Sequence, residues 1–232
     1  YQRWNLASFM GRVNYNYKDR YLLTVSARYD GSSRLAPGHK WVLFPSAALA
    51  WRVKEESFLK DVDCLSNLKL RLGWGITGNT AIDPYKTQGN LEYGRYSYGS
   101  NGVLAFYQKE MPNPNLSWEK TEQWNAGIDF GFLNGRIGGS VDLYLQNTND
   151  LLMDRQLPIV SGFGNVTTNI GQIRNKGLEV TLNTVNIDTK DFNWTTDFMF
   201  SVNKEEIVEL YNGKVDDEGN KWFIGQPVKV FY

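Results

Sequence analysis

Cysteine and histidine are almost absent from this sequence, which has one of each among its 232 residues. A single cysteine, Cys64, excludes an intrachain disulfide framework. The lone His39 sits in a loop with glycine and proline, without the second histidine or cysteine that a typical metal site requires. Nucleophile elbows, phosphate-binding glycine loops and metal-spaced ligand sets do not occur either. We therefore expect no enzymatic activity, no bound metal and no cofactor.

Long hydrophobic runs and an excess of charge of one sign are also missing. No apolar stretch approaches the roughly 18 residues of a transmembrane helix, although a barrel strand needs only about 10. The 25 basic and 25 acidic residues cancel, so the charge predicts no nucleic-acid partner. The chain begins at Tyr1, and no charged segment followed by an apolar one marks an export signal. We expect that the signal was removed or that the N-terminal part is missing.

What the sequence does contain is alternation of apolar and polar residues in four pairs of strands. Each pair encloses a short turn, and long polar loops separate the pairs, which is the pattern of a membrane β-barrel. In the clearest pair, a strand from Trp118 to Phe132 is joined through Asn134-Gly135 to a strand from Ile137 to Thr148. The eight predicted strands span residues 7–17, 21–29, 43–52, 68–77, 118–132, 137–148, 178–184 and 192–203.

Each predicted strand has one apolar and one polar face. On the 118–132 strand, Trp118 and Trp124 share the apolar face and Asn125 lies on the other. Small residues in the 43–52 strand blur the alternation, so its facing is undetermined. Such a sheet either covers a core or separates lipid from a watery lumen, which leaves a secreted all-β carbohydrate-binding module as the alternative to a barrel. In a barrel, the charged residues expected to line the lumen are Arg12, Arg28, Arg71, Asp129, Asp142, Glu179 and Asp197.

Three observations favour the barrel. Several predicted strands are near ten residues long, whereas strands of soluble proteins average about five or six. No amphipathic helix is present to cover the apolar faces. Aromatic residues such as Tyr17, Tyr21, Trp51 and Trp194 gather at the short-turn end of the pairs, as an interfacial girdle requires. The sequence therefore predicts an all-β, antiparallel transmembrane β-barrel segment.

The asymmetry of the connections gives the strands a direction. Bacterial barrels place short turns in the periplasm and long loops outside the cell. The first strand then enters from outside and the last one exits outside, whereas a complete barrel has both termini on the periplasmic side. We expect residues 1–232 to be an internal part of a larger barrel, without a plug domain, signal peptide or closing strand.

Two connections, residues 78–115 and 149–174, exceed the length of ordinary loops, and long loops usually carry function. Exposed aromatic side chains beside polar groups can stack on sugars or peptides, or anchor a protein interface. Packing of the loop on itself is the alternative. The candidate residues for contact with a ligand or a covering protein are Tyr93, Tyr96, Tyr98, Phe106 and Tyr107.

Four longer strings of the sequence are distinctive: YLLTVSARYDGSSR from Tyr21, FPSA from Phe44, PNPNLSWEKT from Pro112 and NIGQIRNKGLE from Asn169. They resemble the barrel of the SusC/RagA family of TonB-linked outer-membrane transporters. The matches run in collinear order through nearly the whole chain, and they are far more specific than one short motif.

This resemblance implies a segment of a barrel of about 22 strands, embedded in outer-membrane lipid. With an N-terminal plug, such a barrel is an importer of oligosaccharides or peptides that the TonB complex energises and a SusD-like surface lipoprotein covers. The sequence departs from the complete family by lacking the signal, the plug, the TonB-contacting segment and the closing strand. We expect barrel wall and extracellular loops, unable to transport alone.

Overall fold

A computed structural model describes residues 2–229 of the chain. Its main element is one antiparallel sheet of eight strands in the order β1-β2-β3-β4-β7-β8-β11-β12. Alternating β-branched and aromatic residues favour these extended strands. Their bounds are Leu6–Tyr17 (β1), Tyr21–Ser32 (β2), Trp41–Arg52 (β3), Leu65–Asn79 (β4), Glu119–Phe132 (β7), Ile137–Asn149 (β8), Gln172–Asp188 (β11) and Asn193–Glu209 (β12).

All eight predicted strands are present, and most are longer than predicted. The largest difference is in β11, which has 17 residues where seven were predicted, and β12 also has 17 residues. Charged residues such as Arg174 and Lys204 occupy apolar-face positions at one end of these strands, so the alternation fades there. Backbone pairing with β8 nevertheless continues to Gln172 opposite Asn149, because main-chain hydrogen bonds do not depend on the side chain.

Two further hairpins lie in the long connections, where the sequence pattern indicated only loops. Their strands are Leu91–Tyr98 (β5) with Asn101–Gln108 (β6), and Leu152–Gln156 (β9) with Asn165–Asn169 (β10). Two short 3₁₀ helices, Val53–Glu55 and Ile159–Ser161, complete the regular structure of the described residues. No helix among residues 2–229 is long and apolar enough to cross a membrane.

The register determines the facing of β3, which the sequence left open. Trp51 lies opposite Tyr21 on β2 and Leu70 on β4, and Leu49 lies opposite Leu23 and Leu72. Since facing residues in a sheet point to the same side, the odd-numbered residues of β3 share the apolar face of the sheet. We call this side the outer face and the opposite side the polar face.

The outer face is uncovered in the described part of the chain. Phe9 and Val13 on β1 are 67% and 69% exposed, and Leu72 in the middle of the sheet is 58% exposed. Besides the eight-stranded sheet, residues 2–229 form only the two hairpin sheets. The two-sheet module that would have enclosed these residues is therefore not the structure of this chain.

The buried core lies among the loops at the long-loop end of the sheet. It is formed by Leu35, Phe44, Ile82, Leu116 and Trp118, all at most 9% exposed. The prediction for Trp118 was wrong, because Trp118 precedes β7 and is buried in this loop core instead of lying on the outer face. Its ring meets Phe44 edge-on at 5.3 Å between centroids, and its indole N–H donates to the Lys40 carbonyl at 2.9 Å.

Aromatic residues lie at both ends of the outer face in the first three strands. At the short-turn end, Tyr21 stacks on Trp51 at 6.2 Å, as the sequence indicated. At the long-loop end, Trp41 stacks between Phe9 at 6.1 Å and Tyr29 at 5.0 Å. Ten residues separate Trp41 from Trp51 along β3. At about 3.3 Å per residue and a tilt of about 45°, the two belts are about 23 Å apart in height, close to the apolar band of about 25 Å in membrane barrels.

Candidate functional site

The polar face carries all the charged residues that the sequence assigned to a lumen. The observed pairing places them on one side of the sheet, alternating with the outer-face residues along each strand. Their assignment to a lumen stays a prediction. They are Arg12 on β1, Arg28 on β2, Arg71 on β4, Asp129 on β7, Asp142 on β8, Glu179 on β11 and Asp197 on β12.

An ion network connects three of these residues across β4, β7 and β8. The Arg71 guanidinium donates to Asp129 through Nε at 3.0 Å and Nη2 at 2.7 Å, and Nη2 also lies 2.9 Å from Asp142. Gly127 stands between Arg71 and Asp142 in the register. A Cβ at Gly127 would come within 2.4 Å of Asp142 and 2.8 Å of Arg71. The missing side chain is therefore what lets the arginine reach across β7.

The other predicted polar-face residues lie outside this network. Arg28 pairs with the buried Asp30 at 2.7 Å, and Asp197 accepts a hydrogen bond from Asn183 at 2.6 Å. Arg12 and Glu179 form no ion pair with any described residue. Residues 2–229 contain no group of three histidine, cysteine or carboxylate side chains arranged to hold a metal ion.

The five aromatic candidates of the long loop all lie on the β5–β6 hairpin, but on two different faces. Tyr93 and Phe106 are directly opposite each other on one face. Tyr96, Tyr98 and Tyr107 are on the other face by the two-residue alternation of the strands. The signal for this hairpin is Gly99, whose positive φ of 63° allows the turn between two alternating aromatic runs.

Both faces of this hairpin are exposed in the described chain. Tyr93 is 70% exposed on one face and Tyr98 is 77% exposed on the other. Self-packing of the loop is therefore not observed. An ion pair between Lys86 and Glu110 at 2.7 Å holds the base of the hairpin. Since an isolated two-stranded hairpin is marginally stable in water, these aromatic faces are suited to a binding partner.

A cavity of about 460 Å³ opens at the long-loop end of the polar face. Asn175 on β11 lines it, and its side-chain oxygen is buried without a hydrogen-bond partner. Buried polar atoms without a partner are rare, and this oxygen is also out of reach of solvent in the described structure. The other lining residues are Glu119, Thr148, Leu151, Ile173, Glu205, Pro227, Val228 and Lys229.

At the short-turn end, Glu56 holds two turns together, which the sequence did not indicate. Its carboxylate accepts hydrogen bonds from Tyr21 Oη at 2.7 Å, from Trp51 Nε1 at 3.1 Å and from Arg20 Nη1 at 3.0 Å. These donors, first that of Tyr21, hold the pKa of Glu56 below its ordinary value. These three hydrogen bonds, which we call the Glu56 clamp, hold the connection after β3 against the turn between β1 and β2.

Comparison with known proteins is consistent with this geometry. Residues 1–228 match the family model described as TonB dependent receptor-like, beta-barrel. The TonB-dependent receptor SusC of Bacteroides thetaiotaomicron is 45% identical over 242 residues, which cover 98% of this chain and 24% of that protein. A TonB-dependent receptor of Formosa agariphila is 39% identical, covering 100% of this chain and 24% of the relative.

A solved structure shares the same fold. The RagAB peptide transporter superposes with a TM-score of 0.85 at 31% identity, over 97% of this chain and 25% of that one. The chain thus spans about a quarter of the length of the relatives that it matches.

Proposed function

Because this chain belongs to the TonB-dependent receptor β-barrel family, we propose that it forms part of the wall and extracellular loops of an active outer-membrane importer similar to SusC and RagA. One observation carries the proposal: the outer face is apolar and exposed, whereas the polar face holds the Arg71 ion network. This arrangement faces lipid on one side and a watery lumen, lined by the polar-face charges, on the other.

The proposed substrates are oligosaccharides or peptides. Both have apolar surfaces beside hydrogen-bonding groups, which fit exposed aromatic rings and polar acceptors. The tyrosines of the β5–β6 hairpin supply the rings, and polar side chains that line the cavity of the polar face, such as Thr148 and Glu205, supply acceptors. No catalytic step is proposed, because the relatives are transport receptors.

The proposed partners are a SusD-like surface lipoprotein and the TonB complex. The lipoprotein would cover the long-loop end and contact one face of the β5–β6 hairpin, whose two aromatic faces are both free for contact in the described chain. TonB would act through a plug domain that lies outside this segment. Lipid of the outer membrane would surround the outer face.

Two double substitutions in the full-length transporter test the role of the hairpin. Tyr93→Ala with Phe106→Ala removes one aromatic face, and Tyr96→Ala with Tyr98→Ala removes the other. Uptake of labelled oligosaccharides and peptides and co-purification of the lipoprotein are measured for each. We expect one pair to lower co-purification and the other to lower uptake. Unchanged values for both pairs would remove the hairpin from the proposal, and uptake that persists in cells without TonB would contradict active import.

A further inference from the structure

The outer face has a cationic cluster at its long-loop end, formed by Arg174, Lys176 and Lys204. Along β11, Lys176 is on the same face as Leu178 and Val180. Along β12, Lys204 is on the same face as Phe200 and Val202. These charges are therefore on the side of the sheet that contacts lipid, where charged residues are costly near the bilayer centre but not near its surface.

Lys176 and Lys204 lie directly opposite each other in the antiparallel pairing. Like charges in facing positions repel and destabilise a sheet. Among the described residues, the carboxylate paired with the cluster is that of Glu206, which lies 3.5 Å from Lys204 and 3.6 Å from Arg174. Lys176 has no ion pair with a described residue. Three cations and one carboxylate leave two positive charges, so the cluster lacks an anion.

A second nearby carboxylate, that of Glu122, does not supply the missing negative charge. Glu122 on β7 accepts hydrogen bonds from the indole N–H groups of Trp74 at 2.8 Å and Trp124 at 3.1 Å. In the register, these two tryptophans and Lys176 belong to one row across β4, β7, β8 and β11. Tryptophans with hydrogen-bonded N–H groups are typical of the membrane interface, and their two hydrogen bonds engage the Glu122 carboxylate away from the lysines.

The position along β12 places the cationic cluster near the outer interface of the membrane. Ten residues separate Lys204 from Trp194 at the short-turn end, the same number that separates Trp41 from Trp51 in β3. Below the lysines on β11 and β12, the outer face is apolar, with Leu178 opposite Val202 and Val180 opposite Phe200. The site thus combines positive charge at the outer interface with an apolar surface beneath it.

We propose that the cationic cluster binds the headgroup phosphate of a phosphorylated glycolipid in the outer leaflet. The phosphate lies between Lys176 and Lys204 and removes their repulsion. The acyl chains of the glycolipid lie along the apolar surface below. A charge-assisted contact of this kind suits arginine and lysine side chains. The inference rests on the membrane position of the barrel and does not depend on import.

The test measures lipid retained by the full-length transporter. The wild-type protein and the Lys176→Gln, Lys204→Gln and double variants are purified in mild detergent and incubated with the phosphorylated outer-leaflet glycolipid. Native mass spectrometry then gives the bound fraction. We expect binding to fall about fivefold for each single variant and about thirtyfold for the double variant. Lys190→Gln, at an exposed lysine in the turn before β12, should bind as the wild type does.

Two further arms identify the source of the phosphate and control for folding. The dephosphorylated glycolipid should bind the wild type as weakly as the phosphorylated lipid binds the double variant, and inorganic phosphate should not displace the lipid. A Lys176→Arg variant keeps the charge and should retain the lipid. This result would assign the weaker binding of the Lys176→Gln variant to the lost charge rather than to a substitution that the fold does not tolerate.

Equal retention by the wild type and the double variant would overturn the inference, and so would equal binding of the dephosphorylated lipid. Displacement by inorganic phosphate would assign the cluster to a soluble anion and also overturn it. Because retention requires no transport, an absence of uptake by the wild type would contradict only the proposed import.

Discussion

The sheet and the loop core of this protein have opposite relations to solvent. In the sheet, outer-face residues such as Phe9 and Val13 are more than 60% exposed, whereas Leu116 and Trp118 in the loops are at most 3% exposed. A water-soluble protein has the reverse arrangement, with apolar strands inside and loops outside. The difference shows that two solvents act on one chain, lipid on the strands and water on the loops.

The loop core is held by contacts of the kind found in a small soluble domain. The Ala36 amide donates to the Leu116 carbonyl at 3.1 Å, and the Trp118 indole donates to the Lys40 carbonyl at 2.9 Å. Gly78 makes room for the rings, since a Cβ there would lie 2.1 Å from Phe44. Hydrophobic burial therefore orders the extracellular loops, although it does not cover the sheet.

The largest expected effect is the loss of the loop core in a Trp118→Ala variant. Removing a buried tryptophan costs about 3–5 kcal/mol through lost burial and the cavity left behind. The loops should open locally while the sheet stays folded. Hydrogen exchange at the Ala36 amide, measured by mass spectrometry on the full-length protein, should accelerate strongly, and exchange in the middle of β2 should stay slow.

Trp124→Ala is the matched control for this experiment, because Trp124 is 53% exposed on the outer face. Its removal should leave the exchange of the Ala36 amide unchanged. Equal acceleration in both variants would contradict the separation between sheet and loop core.

A second prediction compares the two faces of the sheet at neighbouring positions of β12. Phe200 lies on the outer face opposite Val180, and Met199 lies on the polar face opposite Thr181. An arginine facing the middle of the bilayer costs about 2–4 kcal/mol, whereas lumen positions tolerate charge. Phe200→Arg should therefore lower the free energy of unfolding by that amount, measured by denaturant titration in lipid vesicles.

Met199→Arg is the control and should change the free energy of unfolding by less than about 1 kcal/mol. The pair is informative because Met199 is 76% exposed and Phe200 only 47%. If exposure rather than facing governed lipid contact, Met199→Arg would be the more costly substitution, and the assignment of the two faces would be wrong.

The smallest expected effect concerns the Glu56 clamp. Hydrogen bonds from Tyr21, Trp51 and Arg20 hold the pKa of Glu56 below its ordinary value. The clamp is therefore fully present above the ordinary carboxyl pKa of about 4.3, and it weakens as the pH falls through the lowered pKa. Hydrogen exchange at the Arg52 amide, which donates to the Arg20 carbonyl at 2.8 Å, should accelerate over that acid range.

In a Glu56→Gln variant, this acid-dependent acceleration should disappear, because glutamine does not titrate. Glu55→Gln, at an exposed neighbour that forms no ion pair with described residues, should keep the wild-type pH profile. An unchanged profile in the Glu56 variant would show that the clamp is not the titrating group.

The two halves of the sheet also differ at the long-loop end of the outer face. The first half has the aromatic stack around Trp41, and the second half has the cluster of Arg174, Lys176 and Lys204. The aromatic stack was predictable in part, because aromatic residues at every second position continue the apolar–polar alternation that indicates a strand. The cationic cluster was missed for the opposite reason, since charged residues in apolar-face positions interrupt that alternation.

The sequence by itself determined the eight strands of the main sheet and the faces of all but β3, because apolar side chains that recur at every second residue, such as Leu143 and Leu145, are typical of a strand with one apolar face. It also carried the family resemblance. Only the tertiary structure decided which side chains meet across strands: the facing of β3, the reach of Arg71 over Gly127, the burial of Trp118 and the opposition of Lys176 and Lys204. Register decides these contacts, and a shift of one residue would change every one of them.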